Sequence, residues 1–119
     1  MNYTLLIYET PENFALRSDP EKKDAYWGAW APYAAALREA GVFVSGAGLL
    51  TPDTATTVRM VNGRREVQDG PIADTKEQLG GFFIIETPDL DAALDWAARC
   101  PNHGGTVVEV RPNLPPMNR

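Results

Sequence analysis

The apolar positions of the chain recur with two different periods, and the changes of period predict an order of strands and helices. Strand-like runs, rich in aromatic and β-branched residues, cover residues 3–8, 42–50, 81–86 and 106–111. Helical spacing is found in two segments, one after Asp19 and one from Leu90 to Arg99. The first helix carries its apolar stripe at four positions: Tyr26, Trp30, Tyr33 and Leu37.

A hairpin is predicted between the second and third of these strands. Asn62-Gly63, flanked by the strand-like runs 56–61 and 65–68, is a strong signal for a tight two-residue turn. Without the hairpin the order is βαββαβ, the ferredoxin-like α+β arrangement with an antiparallel sheet. Two helices cover only one face of such a sheet, so we expect a homodimer that shields the other face.

Smaller features predict where these elements begin and end. Residues 10–18 are expected to be a loop, with Asp19 capping the helix that follows at Pro20. Pro32 lies inside the helical pattern and is expected to kink or split the helix. We expect one domain over residues 1–112, followed by a proline-rich tail over residues 113–119.

Composition and charge narrow the classes of partner. The 119 residues carry 11 basic and 16 acidic side chains, a net charge of -5, and the scattered basic residues argue against direct nucleic-acid binding. One cysteine, Cys100, and one histidine, His103, make a structural metal site unexpected. The chain shows no signal peptide and no apolar run long enough to span a membrane, which favours the cytoplasm.

Residues 67–71 (VQDGP) and 75–82 (TKEQLGGF) together resemble the DGPF-motif branch of the YCII-related proteins. Residues 54–59, 90–97 and 104–112 extend the similarity over most of the chain. The resemblance implies a ferredoxin-like fold that forms dimeric α/β barrels. It also implies an association with transcription, since genes of this branch often lie beside sigma-factor genes.

The chain departs from the family pattern at three places. Ile72 stands where the motif has Phe, and Asp74 stands where it has Glu. Some YCII-related proteins are thought to use a His–Asp pair with the histidine on the first helix, near the position of Trp30, and this helix contains no histidine. The acid–base pair of the family is therefore not transferred to this chain.

Two residues are candidates for catalysis. Asp69, between a strand and Gly70-Pro71, could act as a carboxylate base if buried, although an Asp in a turn more often accepts backbone hydrogen bonds. His103 lies in a glycine-rich loop, where a surface histidine is the simpler interpretation. It could replace the missing family histidine only if it came near Asp69 across the dimer.

Five further residues are candidates for substrate binding, and each has a structural alternative. Aromatic side chains of the first helix could line an apolar cavity or simply pack on the sheet. The charged candidates could bind an anionic group at a pocket mouth or lie in solvated turns. The five are Trp30, Tyr33, Arg59, Asp74 and Lys76.

Two hypotheses for function follow. The first is a small-molecule-binding protein, or a cofactor-independent enzyme of lyase or isomerase type, with a pocket between the first helix and the sheet near the Asp69 turn. The second is a non-catalytic regulatory module that contacts the transcription machinery through protein surfaces. The sequence does not identify a ligand, nor does it decide whether the protein is an enzyme.

Overall fold

The computed structural model describes residues 1–116. Strands and helices follow one another in this order: β1 (Asn2–Glu9), α1 (Pro11–Leu16), α2 (Lys23–Glu39), β2 (Phe43–Gly48), a 3-10 turn (Pro52–Thr54), β3 (Thr56–Val61), β4 (Arg64–Asp69), β5 (Gln78–Glu86), α3 (Leu90–Ala98) and β6 (Val107–Pro112). None of the helices in this part of the chain is both long and apolar enough to cross a bilayer.

Four strands form one antiparallel sheet in the order β2-β5-β1-β6. Removing the hairpin β3–β4 and the short helix α1 leaves β1, α2, β2, β5, α3 and β6, which is the βαββαβ order. The predicted ferredoxin-like α+β fold is therefore confirmed.

The core lies between this sheet and the two long helices. Strand β1 alternates strictly, and the side chains of Tyr3, Leu5, Ile7 and Glu9 point toward the helices. A central cluster of buried residues from both helices and both central strands holds the layers together by removing apolar surface from water. Its members are Tyr3, Leu5, Tyr33, Leu37, Ile85 and Ala93.

The segment after β1 is helical, so the prediction of a loop over residues 10–18 is wrong in its middle part. Thr10 caps α1 by accepting a hydrogen bond from the Asn13 backbone N–H at 3.2 Å, and Pro11 occupies the first helical position. Both signals for a helix start, a capping Thr and a Pro at the first helical position, could have been read from the sequence directly after the first strand. This short helix brings Asn13 and Phe14 under the sheet edge.

Helix α2 begins at Lys23, three residues later than predicted. Asp19 instead organises the preceding turn, where its side chain accepts from the Glu21 N–H and its carbonyl accepts from the Lys23 N–H, both at 2.9 Å. Pro32 does not split the helix. Tyr26, on one side of the proline, and Tyr33 and Leu37, on the other, are buried, and this packing holds the helix continuous across the missing bond.

The hairpin β3–β4 forms a separate two-stranded sheet outside the main layers. It extends the molecule, whose radius of gyration is 16.3 Å, against about 13.5 Å for a compact domain of this length. Val58, Met60 and Val67 lie on one face of the hairpin and are 56%, 66% and 57% exposed. Monomeric soluble proteins seldom leave a large contiguous apolar patch open to solvent.

The beginning of the predicted tail is fixed to the sheet. The Asn113 N–H donates to the Asn2 carbonyl at 2.8 Å, and its side-chain oxygen accepts from the Thr4 hydroxyl at 2.6 Å. Residues 117–119 of the predicted tail lie outside the described residues.

Candidate functional site

A cavity of about 220 Å³ lies between helix α2 and the strands β2 and β5. Aromatic rings of Trp27, Trp30 and Phe83 form much of its wall, and the Trp30 and Phe83 rings are inclined by 29° to each other, with centroids 6.3 Å apart. A largely apolar, concave lining with a few polar groups is typical of small-molecule sites.

Glycines of strand β2 keep this cavity open. Gly46 pairs with Phe83 and Gly48 pairs with Gly81, so both positions of β2 face the helices. A β-carbon at Gly46 would lie 2.8 Å from Cδ1 of Phe83, whereas one at Gly48 would meet no atom within 4 Å. Gly46 is thus required by close packing, and Gly48 borders empty space.

Arg17, just after helix α1, brings a positive charge to the cavity wall. One terminal nitrogen of its guanidinium donates to the Leu49 carbonyl and the other donates to the Gly80 carbonyl, the latter at 3.0 Å. The group also lies above the rings of Tyr26 and Trp27, 5.7 Å and 5.2 Å from their centroids. Such contacts hold the guanidinium in one orientation.

The Gly80 carbonyl reaches Arg17 because the strand is bulged there. The register of β1 against β5 steps from Ile7 opposite Gly81 to Tyr8 opposite Leu79, so Gly80 has no partner residue. A β-carbon on Gly80 would lie 2.9 Å from the Arg17 guanidinium. Glycine at this bulge therefore makes room for the arginine.

A second arginine, Arg38 of helix α2, also lines the cavity, and its guanidinium lies 4.5 Å above the Phe43 ring. The lining contains these two arginines and no Asp or Glu. Within residues 1–116, the ion pair that the structure shows joins Arg111 and Glu109, away from this cavity. The cavity is therefore an electropositive place in an acidic chain.

A buried carboxylate lies directly behind the cavity wall. Glu9, at the end of β1, is 0% exposed. Its Oε2 accepts from the Tyr26 hydroxyl at 2.7 Å, and its Oε1 accepts from the Thr106 hydroxyl at 2.6 Å and from the Asn13 amide at 3.1 Å. The network thus joins residues from four segments, namely α1, α2, β1 and the loop before β6.

The directions of these hydrogen bonds favour an ionised Glu9. Thr106 Oγ1 accepts from the His103 N–H at 3.2 Å, and the Tyr26 oxygen accepts from Arg17 Nε at 3.4 Å, so both hydroxyl protons are free to point at Glu9. If Glu9 carries no proton, its two oxygens accept from all three donors, and each of those donors has a partner.

Tyr26 connects the buried network to the cavity, because its ring lines the cavity and its hydroxyl bonds to Glu9. Burial raises the pKa of the Tyr26 phenol, and the neighbouring Glu9 carboxylate raises it further, while Arg17 opposes the shift. The phenol therefore stays protonated at neutral pH and keeps its hydrogen bond to Glu9.

His103 is placed at the edge of this network by the loop before β6. Its ring packs on the Tyr26 ring with centroids 4.3 Å apart, and its buried Nδ1 has no hydrogen-bond partner among the described residues. Gly104 and Gly105 follow with φ of +89° and +82°, a conformation that glycine adopts without strain. The loop thus turns sharply and returns Thr106 to Glu9.

Two of the predicted binding residues belong to helix α2. Trp30 lines the cavity, which was one of its two predicted roles, the other being packing on the sheet. Tyr33 packs in the core, where its hydroxyl donates to the Trp96 carbonyl at 2.7 Å. Burial, with a smaller contribution from the Cys100 thiol, raises the pKa of Tyr33.

Asp69 and Arg59 lie on the hairpin, and both are exposed in the single chain. Asp69 pairs with Thr56 and Arg59 pairs with Glu66. Since side chains alternate along a strand, Arg59 and Asp69 point to opposite faces of the hairpin. His103 packs against Tyr26 within the single chain, and its approach to Asp69 across a dimer stays a prediction. The catalytic role of Asp69 stays a prediction.

Asp74 and Lys76 lie in the exposed connection between β4 and β5, where no helix forms. The Gln78 side chain fixes this connection by donating to the carbonyls of Ala73 and Thr75 at 2.7 Å and 3.0 Å. Asp74 borders a second groove of about 500 Å³, larger than the cavity beneath α2, together with Pro52, Pro71 and other residues of the loops. The cavity lies between α2 and the sheet, as expected for the predicted pocket, but no residue of the Asp69 turn is in its lining.

The sequence interpretation missed Glu9, Arg17 and Thr106 as site residues. A signal for Glu9 was present, because the alternation from Tyr3 places Glu9 on the same face as Leu5 and Ile7. A charged residue at a core position is the informative exception to the hydrophobic pattern. Within residues 1–116, no three His, Cys, Asp or Glu side chains are arranged to hold a metal ion.

Comparison with known proteins identifies the family. An uncharacterised protein of Rhizobium meliloti (strain 1021) is 43% identical over 76 residues, a match that covers 62% of this chain and 61% of the relative. The chain therefore spans less than two thirds of the length of that relative. The family model of the YCII-related domain matches residues 1–115, which include the cavity and the Glu9 network. This chain belongs to the YCII-related domain family.

Proposed function

We propose that the cavity beneath α2 is the binding site for a small molecule. The observation that carries this proposal is the position of Tyr26, which lines an aromatic cavity beside Arg17 and bonds to a buried carboxylate. Cavities that combine apolar walls with convergent polar groups are the usual small-molecule sites. Core packing alone accounts for neither the empty space at Gly48 nor the buried charge.

As an enzyme, the protein would be a cofactor-independent lyase or isomerase. In the proposed step Tyr26 takes a proton from a substrate C–H bond while its own proton passes to Glu9, and in the reverse step Glu9 returns a proton to Tyr26 as Tyr26 protonates the substrate. Arg17 would stabilise the negative charge that remains on the substrate. This proposal assigns proton transfer to the Tyr26–Glu9 pair, and the role of Asp69 stays a prediction. A cytoplasmic location stays a prediction.

A thermal-shift screen of small aromatic and carboxylated metabolites tests the binding proposal. Ligands that bind the folded state raise the melting temperature by mass action. We expect the shift to disappear in Gly48→Leu, which fills the cavity, and to persist in Asp69→Asn. Loss of the shift in a folded Asp69→Asn, with retention in Gly48→Leu, would return the site to the Asp69 turn.

We also propose that the protein is a homodimer joined through the sheet face opposite the helices. Leu6 pairs with Phe82 on this face, and Tyr8 and Ile84 extend the apolar patch. All four are partly exposed in the single chain. Covering such a face stabilises a small domain. Light scattering should give twice the chain mass for the wild type and less for Leu6→Lys, and a monomeric wild type would contradict the proposal.

The second candidate function is a non-catalytic interaction module, and the apolar face of the hairpin supports it. Val58, Met60 and Val67 are exposed without a partner in the single chain. A regulatory protein that contacts transcription machinery would use such a surface. A Met60→Lys variant that keeps the dimer mass and every ligand shift, yet loses a protein partner, would favour this function.

A further inference from the structure

We propose that the cavity beneath α2 binds a single-ring aromatic carboxylate, with the ring against the aromatic wall and the carboxylate on Arg17. This inference rests on the proposed function and names the chemical class of the ligand. It is carried by three properties of the cavity, namely its size, its charge and the donors that Arg17 leaves unused.

The size of the cavity limits the ligand to about one ring. Its volume is about 220 Å³. An engineered cavity of about 150 Å³ binds benzene, and sites for larger, drug-sized ligands begin at about 300 Å³. The rings of Trp27, Trp30 and Phe83 provide flat apolar surface for a flat partner. A benzene ring with a short acidic side chain fits this space.

The charge of the cavity selects an anion. Arg17 and Arg38 both line it, and no acidic residue does, although acids outnumber bases in the chain by 16 to 11. The nearby Glu9 charge is already satisfied by Tyr26, Thr106 and Asn13. Two arginines among aromatic rings, where the surroundings are partly desolvated, therefore attract a negative group strongly.

Arg17 retains the donors that a carboxylate requires. Its Nε donates to Tyr26, and each terminal nitrogen donates once, to the Leu49 and Gly80 carbonyls. A guanidinium has five N–H donors, so one N–H remains on each terminal nitrogen. Two donors on a planar group that is already fixed match the two oxygens of a carboxylate.

Isothermal titration with four probes tests the class of ligand. Phenylacetate carries ring and charge, phenylacetamide replaces the charge by a neutral amide, phenethylamine reverses it, and acetate lacks the ring. We expect phenylacetate to bind about 10-fold or more tightly than phenylacetamide, which corresponds to one charge-assisted hydrogen bond. Acetate and phenethylamine should bind too weakly to measure. Fluorescence of Trp27 and Trp30 gives a second readout.

Charge-neutralising variants locate the anion. Arg17→Gln should weaken phenylacetate about 10- to 100-fold while changing phenylacetamide little. If Arg17→Gln fails to fold, Arg38→Gln, an exposed position, serves as the second test and should weaken phenylacetate several-fold. Arg64→Gln, on the hairpin, removes the same charge outside the cavity and should leave phenylacetate affinity unchanged.

The results separate this inference from the proposed function. Equal affinity for phenylacetate and phenylacetamide, with both lost in Gly48→Leu, would leave the cavity as a binding site and refute the anionic class. Equal weakening of phenylacetate by Arg64→Gln and Arg17→Gln would also refute it. No binding of any aromatic probe to folded wild type would contradict the inference and the cavity together.

Discussion

The Tyr26 hydroxyl lies 2.7 Å from Oε2 of Glu9, and this hydrogen bond joins the deepest charge of the fold to the wall of its cavity. Glu9 ends the first strand and Tyr26 lies in the first turn of the long helix α2. The bond therefore ties two layers together as well as polarising a phenol. Stability and chemistry at this site depend on the same two residues.

Glu9→Gln should destabilise the protein by about 1–3 kcal/mol, the range for losing hydrogen bonds to a buried charged group. The amide nitrogen of glutamine would face a donor, whether it points to Tyr26 or to Thr106 and Asn13. Urea unfolding measures the change. Glu12→Gln, at an exposed position of α1, is the matched control and should change the free energy of unfolding by less than about 0.5 kcal/mol. Equal effects of the two substitutions would contradict the account.

Tyr26→Phe should lower the free energy of unfolding by about 1–3 kcal/mol, because Glu9 loses a donor in a buried place. The ring and its contact with His103 remain, so the fold is kept. Tyr8→Phe removes a hydroxyl from the opposite face of the sheet and should have little effect. The comparison is made by urea titration of both variants, and a Tyr26→Phe variant as stable as Tyr8→Phe would refute the role of the bond.

Stability should fall in alkaline solution. Burial raises the pKa of Cys100 above its ordinary 9.0 and those of Tyr26 and Tyr33 above 10.0. Below pH 9 all three groups are neutral in both states and the stabilisation is fully present. As the pH rises further, the unfolded chain loses these protons first, so each group lowers the free energy of unfolding by about 1.4 kcal/mol per pH unit until it ionises in the folded state.

Denaturant titrations from pH 7 to pH 11 test this prediction. Tyr33→Phe and Cys100→Ala each remove one titrating group and should make the decline less steep than in the wild type. A free energy of unfolding that stays constant up to pH 11 would contradict the burial of these groups.

Gly46→Ala should destabilise the protein by about 1–3 kcal/mol, because the new methyl group would lie 2.8 Å from the Phe83 ring and the ring is held in the core. Gly48→Ala, two residues along the same strand, adds the same group where no atom lies within 4 Å and should be neutral or stabilising. Thermal melts of the two variants should therefore differ in sign or clearly in size, and equal melting temperatures would show that the two positions are not packed differently.

The fold could be predicted because its elements follow local patterns. The helical stripe through Tyr33 and Leu37 and the Asn62-Gly63 turn each specify one element, and the order of elements specifies the sheet. Helix α1 was not predicted, because its six residues are too few to show a helical period. Thr10-Pro11 was the one local signal for its start. The late start of α2 reflects a turn in which the Asp19 side chain accepts from the Glu21 N–H rather than capping the helix.

The site could be predicted only in part, because it is assembled from distant segments. Trp30 was found through its helical spacing, yet Glu9 and Thr106 are 97 positions apart and meet only when β6 pairs with β1. Asp69 was predicted as a site residue from its motif; its strand β4 belongs to the separate two-stranded sheet and Asp69 does not line the cavity, so its role stays a prediction. Neither the meeting of Glu9 with Thr106 nor the position of Asp69 follows from local propensity.

The most direct test of the central claim is a ¹H–¹⁵N NMR titration with phenylacetate or with the tightest ligand of the thermal-shift screen. The account predicts saturable shifts at the backbone amides of Gly46, Gly48 and Gly81 and at the Trp30 indole, with no shift along the hairpin. Shifts confined to residues 69–76, with the glycines of the cavity unchanged, would contradict it.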